Sequence, residues 1–165
     1  MSTTENLKHA FAGESQANRK YLAYARKADK DGFPQIARLF RAAAEAETIH
    51  ALGHFNALEA VKSTAENLKD AIKGETYEYT EMYPPMLAAA LAENHRAKLM
   101  FGYAVKAEEV HARLYTAALA ALEAGKDLDG LEVYVCPVCG NLELGVPTDK
   151  CSVCGLAADR FQKVA

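Results

Sequence analysis

The 165-residue sequence predicts an all-α four-helix bundle followed by a small metal-bound β/loop module. Three observations carry this reading. The chain before residue 130 is rich in Ala, Leu, Glu and Lys and poor in Gly and Pro, a composition of strong helix formers. Four segments carry apolar residues at alternating three- and four-residue intervals, the spacing of one helix face. All four cysteines fall in the C-terminal stretch as C-x2-C-x11-C-x2-C. The formal net charge of −3 argues against a dedicated nucleic-acid binder, which needs a basic face. No apolar run approaches the roughly 18 residues that cross a bilayer. The opening MSTTENLKHAF has neither the basic start nor the apolar core of a signal peptide, so the expected location is the cytoplasm.

The helical stretches are expected at 4–30, 34–62, 65–91 and 93–124. Asp31-Gly32-Phe33-Pro34 breaks the first from the second, with Pro34 at a first helical position. Ser63-Thr64-Ala65-Glu66 reads as a capping box that opens the third. Pro84 and Pro85 fall inside that third stretch and should kink it or end it early. No Gly or Pro marks the break near residue 92. Ala124 to Gly130, with two glycines and two aspartates, reads as a linker, which divides the chain into domains at 1–130 and 131–165.

Each apolar stripe is interrupted near its middle by carboxylates, and two also by imidazole. The first stripe is Leu7, Phe11, Glu14, Asn18, Tyr21 and Ala25, and the second includes Ile36, Phe40, Glu47, His50 and His54. The third includes Leu68, Glu75, Glu78 and Met82, and the fourth Phe101, Ala104, Glu108, His111 and Tyr115. Ionised groups are rarely buried unless they are paired or hold a metal. The interruptions repeat at one offset: 14 + 61 = 75, 47 + 61 = 108, 50 + 61 = 111, and Phe40 + 61 gives Phe101. Each helix pair therefore offers one Glu and then an E-x-x-H, whose i, i+3 spacing puts both side chains on one face. Four carboxylates and two imidazoles gathered in this way are the ligand set of dimetal carboxylate bundles. Glu78 breaks the repeat, since its first-half counterpart is Ala17. It is read as a seventh ligand that offsets the charge added on oxidation, with a supporting role behind His50 as the alternative. His9, His54 and His95 are expected to be packed or solvated, and Glu45 and Glu109 solvated.

Cys136, Cys139, Cys151 and Cys154 are expected to hold one metal ion, zinc or iron, because two C-x-x-C turns aim four thiolates at a tetrahedron. Gly140 and Gly155 follow each second cysteine and supply the permissive backbone of those turns. A segment this short cannot build a sufficient core, so its metal must hold it together.

The sequence resembles the rubrerythrins. The resemblance spans the chain and rests on GESQANRKY (13–21), ETIH (47–50), GETYEYTEMYP (74–84), EEVH (108–111) and the two cysteine turns. It implies a ferritin-like bundle followed by a rubredoxin-like domain, with a diiron site held by Glu14, Glu47, Glu75, Glu78, Glu108 and His111. It implies that His50 exchanges with Glu78 on one iron with redox state, that Tyr21 and Tyr83 hydrogen-bond ligand carboxylates, and that the four cysteines bind a single iron. The implied activity is reduction of hydrogen peroxide to water in protection against oxidative stress, in a head-to-tail or domain-swapped homodimer. Where the family has a longer, glycine-containing link between its third and fourth helices, this chain has ALAENHRAK.

The expected chemistry is two-electron cleavage of peroxide at the diiron pair, with Glu78, Tyr21 or Tyr83 delivering protons. The pair is then reset through the four-cysteine iron by an external NADH-dependent reductase or a rubredoxin. The chain has no G-x-G-x-x-G fingerprint for a dinucleotide of its own. Two rivals stand beside this reading. One is a ferroxidase or iron-storage protein, which has no evident need of a cysteine module. The other is a zinc-ribbon module on a structural bundle, which leaves the in-register carboxylates and imidazoles without a task.

Overall fold

A computed structural model describes residues 2–128 and 132–164. It contains four helical segments followed by a small three-stranded sheet, the class the sequence predicts. Helix α1 spans Thr3–Lys30 and opens on a capping box, in which the Ser2 hydroxyl accepts from the Glu5 N–H and the Glu5 carboxylate accepts from the Ser2 N–H. Gly32, at φ +84°, makes the turn into α2, Pro34–Ala57, which has its proline in the first turn as expected.

Helix α2 ends short of the expected 62. Glu59 adopts a left-handed conformation at φ +51°, which reverses the chain. Val61, beyond that turn, lies in the loop and is exposed. Helix α3, Thr64–Tyr77, begins at the expected capping box of Ser63 and Glu66. It passes into one π-helical turn, Glu78–Met82, and resumes as α4, Tyr83–Ala92. The two prolines interrupt the α pattern without ending the rod. The π turn places them in the first turn of α4, where their missing N–H groups have no intrahelical partner to lose. Helix α5, Ala97–Glu123, starts four residues later than expected, after Asn94 turns left-handed at φ +50°.

Two compact units result, Met1–Lys62 and Ser63–Ala165. In the first, α1 and α2 form an antiparallel hairpin. Ala25, Ala28, Ala37, Ala44 and Ala51 are its buried residues, and Phe11 stacks on Phe55 with ring centroids 4.8 Å apart. Asn18 crosses the seam, its Nδ2 donating to the Ala44 carbonyl at 2.7 Å and to Thr48 Oγ1 at 2.8 Å. In the second unit the α3–α4 rod packs on α5 around Ala90, Ala104, Ala107 and Ala112. The same unit contains strands β1 (Val133–Val135), β2 (Leu142–Leu144) and β3 (Gln162–Lys163), in the antiparallel order β2-β1-β3. Val133 pairs with Leu144, and Tyr134 with both Glu143 and Lys163. The end of the expected linker and the expected boundary at 130/131 lie outside the described residues.

Candidate metal centres

Among the described residues three clusters of metal-ligating side chains form, and all are built from residues singled out above. The i, i+3 spacing on α2 brings Glu47 and His50 together, with His50 Nδ1 3.1 Å from Glu47 Oε2, and Glu14 on α1 completes the trio. On α5, His111 Nδ1 lies 2.7 Å from Glu108 Oε2 and 3.7 Å from Glu75 Oε2 of α3. Within each trio one ligand atom per residue lies within 4.8 Å of the others.

The electrostatics repeat along with the geometry. In the first trio, a hydrogen bond with Glu47 is the main cause that raises Glu14, and the same bond lowers Glu47. In the second, burial and then Glu108 push Glu75 up to about 7, while the His111 bond holds Glu108 down. Each half therefore sets a raised carboxyl against a lowered one beside an imidazole, a crowding of acidic groups that a bound cation would relieve.

The trios differ in what surrounds them. The His50 side chain is 55% exposed and that of His111 only 16%. Glu78 is not part of the second trio. It lies within electrostatic reach of Glu108 and His111, and burial and then the Glu108 charge raise it.

The π turn begins at Glu78, and the Tyr83 N–H donates back five residues to the Glu78 carbonyl. One extra residue is accommodated in this turn, so the repeat offset becomes 62 at the start of α4, before α5 returns to 61, and Tyr83 becomes the counterpart of Tyr21. The rings bear this out. Tyr21 and Phe40 have centroids 6.2 Å apart at 37°, and Tyr83 and Phe101 have centroids 6.1 Å apart at 42°. The equivalence escaped sequence reasoning, which held to a single offset; a change of offset at residue 78 is the signal that would have found it. Burial raises the Tyr83 phenol, followed by the charges of Glu78, Glu108 and Glu75.

The four cysteines are free thiols, and their sulfurs form the third cluster. Cys136 Sγ is 3.5 Å from Cys154 Sγ, and Cys139 Sγ is 3.5 Å from Cys151 Sγ. Four sulfurs about 2.3 Å from a central ion would be about 3.8 Å apart, so the set fits one tetrahedral ion. The two turns are copies. Gly140 and Gly155, both at positive φ, donate to the carbonyls of Cys136 and Cys151 at 3.0 and 2.8 Å. Burial works to raise Cys136, but the N–H groups of Cys139 and Val138 outweigh it and leave that thiol lowered. Burial pushes Cys139 well up, against the N–H of Asn141, which donates to its sulfur.

Sequence reasoning also missed the peptide group that joins two clusters. The Gly140–Asn141 peptide donates its N–H to Cys139, and its carbonyl accepts from His111 Nε2 at 2.9 Å. A carbonyl only accepts, so Nε2 carries a proton and the other ring nitrogen, Nδ1, is the one turned toward Glu75 and Glu108. Asn141 itself is fully buried where the second turn has Leu156, and its Nδ2 donates to Glu143 Oε1 at 3.0 Å.

The remaining candidates lie elsewhere. His9, Glu45 and Glu109 are exposed, as expected. His95 is exposed too, and its Nδ1 accepts from the Ala97 N–H where α5 starts. His54 is half-buried on α2, outside the trio.

A family model described as Rubrerythrin matches residues 5–119. Rubrerythrin-2 of Clostridium acetobutylicum is 37% identical, with 97% of this chain and 95% of the relative covered. Nigerythrin of Nitratidesulfovibrio vulgaris is 39% identical over 97% of this chain and 85% of its own. A solved mixed-valent state of nigerythrin aligns with a TM-score of 0.59 at 37% identity, covering 99% of this chain and 87% of the other.

Proposed function

We propose that this chain, which belongs to the rubrerythrin family, reduces hydrogen peroxide to water with electrons relayed through its cysteine module. Its cofactors are two iron ions at a carboxylate site and one iron ion at the four cysteines. Glu14, Glu47, His50, Glu75, Glu78, Glu108 and His111 are the diiron ligands on this reading, and Cys136, Cys139, Cys151 and Cys154 hold the third iron. Residues 1–130 form the catalytic domain and 131–165 the relay. The reaction is H2O2 + 2 e⁻ + 2 H⁺ → 2 H2O. The iron pair supplies two electrons and Lewis acidity toward the peroxide oxygens.

The protein's own part is to hold charge and protons in place. Glu47 and Glu108 are kept ionised beside His50 and His111. Glu75, pushed up to about 7, holds a proton that metal entry displaces, and Glu14 is raised in the same direction by Glu47. Tyr83, raised by burial and by its acidic neighbours, keeps its phenolic proton at neutral pH and is a donor at its Oη, with Tyr21 as its counterpart. Glu78, also raised, is the third proton carrier, and it alternates with His50 as redox state changes the charge to be balanced. The single observation that carries the relay is the Gly140–Asn141 peptide between Cys139 and His111. Electrons enter from an NADH-dependent reductase or a rubredoxin in the cytoplasm, and the working form is a homodimer.

The deciding experiment is anaerobic stopped-flow. Fully reduced, iron-loaded protein mixed with substoichiometric peroxide regains the red ferric tetrathiolate colour quickly, and with oxygen much more slowly. Return of colour that is faster with oxygen would replace this reading with a ferroxidase, and a colourless protein would replace it with a zinc module.

A further inference from the structure

One half of the internal repeat carries a phenol that the other half lacks. On α1 the rings of Tyr21 and Tyr24 have centroids 6.3 Å apart, and Phe40 of α2 packs on both, 6.2 Å from Tyr21 and 5.6 Å edge-on from Tyr24. Among the described residues these are the one pair of tyrosines in ring contact. In the second half Tyr83 packs on Phe101, and the offset of 62 that matches Tyr83 to Tyr21 matches Met86 to Tyr24. The first-half cluster runs outward from the ligand stripe. Tyr21 is half-buried, seven residues or about 10 Å along α1 from Glu14 and on the same face, as Phe40 is seven residues from Glu47 on α2. Tyr24, one turn further, is 48% exposed. A row of touching rings therefore leads from the side of the carboxylate trio to solvent. The second half has no such row, and its His111 meets the cysteine module at the Gly140 carbonyl instead.

The chemistry of resetting gives that row a task. A single iron at the cysteines delivers one electron at a time, so a pair being reset passes through a mixed-valent state. Peroxide that arrives then finds one electron in the pair, where cleavage to water takes two. We propose that Tyr24, reached through Tyr21, supplies the second electron: H2O2 + Fe²⁺ + TyrOH + H⁺ → 2 H2O + Fe³⁺ + TyrO•. The O–O bond breaks, the ferrous ion and the phenol are each oxidised by one electron, and the phenolic proton leaves to solvent at the exposed ring. Without this donor, one-electron cleavage at the same pair would release a hydroxyl radical beside the ligands. Tyr21 is the intermediate stop, and Tyr24 holds the hole where a reductant in solution can reach it. The step rests on the peroxidase reading above.

The test uses the full-length, iron-loaded protein, reduced anaerobically until the pair is mixed-valent by EPR while the red ferric colour of the cysteine iron is retained. In that state the cysteine iron has no electron to give. Peroxide, equimolar with the pair, is added together with a nitroso spin trap. The expected result is a free-radical EPR signal and a trap adduct that peptide mapping places on Tyr24. Tyr24→Phe keeps a ring against Phe40 and is expected to lose the adduct, with iron content and thermal melting unchanged. Tyr77 is the internal control, because at 52% exposed it is more open than Tyr24 but packs on no other ring among the described residues. A pair that turns diferric without an adduct on Tyr24, or with Tyr77 labelled as heavily, overturns the proposal and leaves the peroxidase reading standing. A pair that peroxide fails to oxidise overturns both.

Discussion

Tyr83 packs against Phe101 with ring centroids 6.1 Å apart, the same relationship that Tyr21 has with Phe40 in the other half of the chain. The match holds only because the π turn at Glu78–Met82 takes up one extra residue. Without it, Tyr83 would be turned by about 100° around the helix axis, away from the face that carries Glu75. Turns of this kind recur at functional sites because they re-aim a side chain at little cost to the rod.

Removing only the Tyr83 hydroxyl separates its packing from its chemistry. Tyr83→Phe keeps the ring pair with Phe101, so thermal stability is expected to change by less than about 1 kcal/mol. On the proposed function, with Tyr83 as a proton donor, the variant is expected to slow the reaction of the reduced protein with peroxide by on the order of 10²-fold, read by stopped-flow. An unchanged rate would assign the proton to Tyr21 or Glu78 instead.

The raised Glu75 carboxyl gives a pH dependence of definite sign. Its value of about 7 in the fold lies above its unfolded value, so between about pH 4.5 and 7 the folded state binds more protons than the unfolded. Metal-free protein should therefore lose this contribution as pH rises through that window. Glu75→Gln should flatten the decline, seen in melts of wild type and variant at pH 5 and pH 7.5. Metal uptake, which displaces the same proton, should tighten with rising pH over the same range and release protons measurable with an indicator dye.

Stripping the metal should divide the chain energetically. The cysteine module has short strands, and its buried residues are mainly the cysteines themselves. Chelation is expected to unfold the module and expose all four thiols to a thiol reagent, with far-UV helical signal largely retained. A module whose thiols stay protected after metal removal would mean that its contacts with Tyr103 and His111 hold it without the ion.

A purely structural prediction concerns Asn18. Its amide makes two hydrogen bonds across the α1–α2 seam, to Ala44 and Thr48. Asn18→Ala leaves the Ala44 carbonyl without this partner and should destabilise the hairpin by about 1–2 kcal/mol, measured by denaturant unfolding. The residues at offsets of 61 and 62, Tyr79 and Thr80, carry no amide side chain, so no equivalent loss is expected in the second half.

Much of this protein is local and therefore legible in one dimension. Helix periodicity, the capping boxes at Ser2–Glu5 and Ser63–Glu66, and the i, i+3 pairing of Glu47 with His50 and Glu108 with His111 depend on residues within a turn of each other. The same holds for the two C-x-x-C turns with their left-handed glycines. Helix ends were less legible, because Glu59 and Asn94 reverse the chain in a conformation usually given to glycine. The tertiary structure alone decided that Pro84 and Pro85 would be absorbed by a π turn rather than break the rod, since packing of Tyr83 on Phe101 favours continuing it. It alone decided that the Gly140 carbonyl would meet His111, a contact between residues 29 apart that no period or motif encodes. Backbone groups look alike at every position in a sequence, and which one becomes a link between two metal centres depends on the surface against which the folded turn comes to rest.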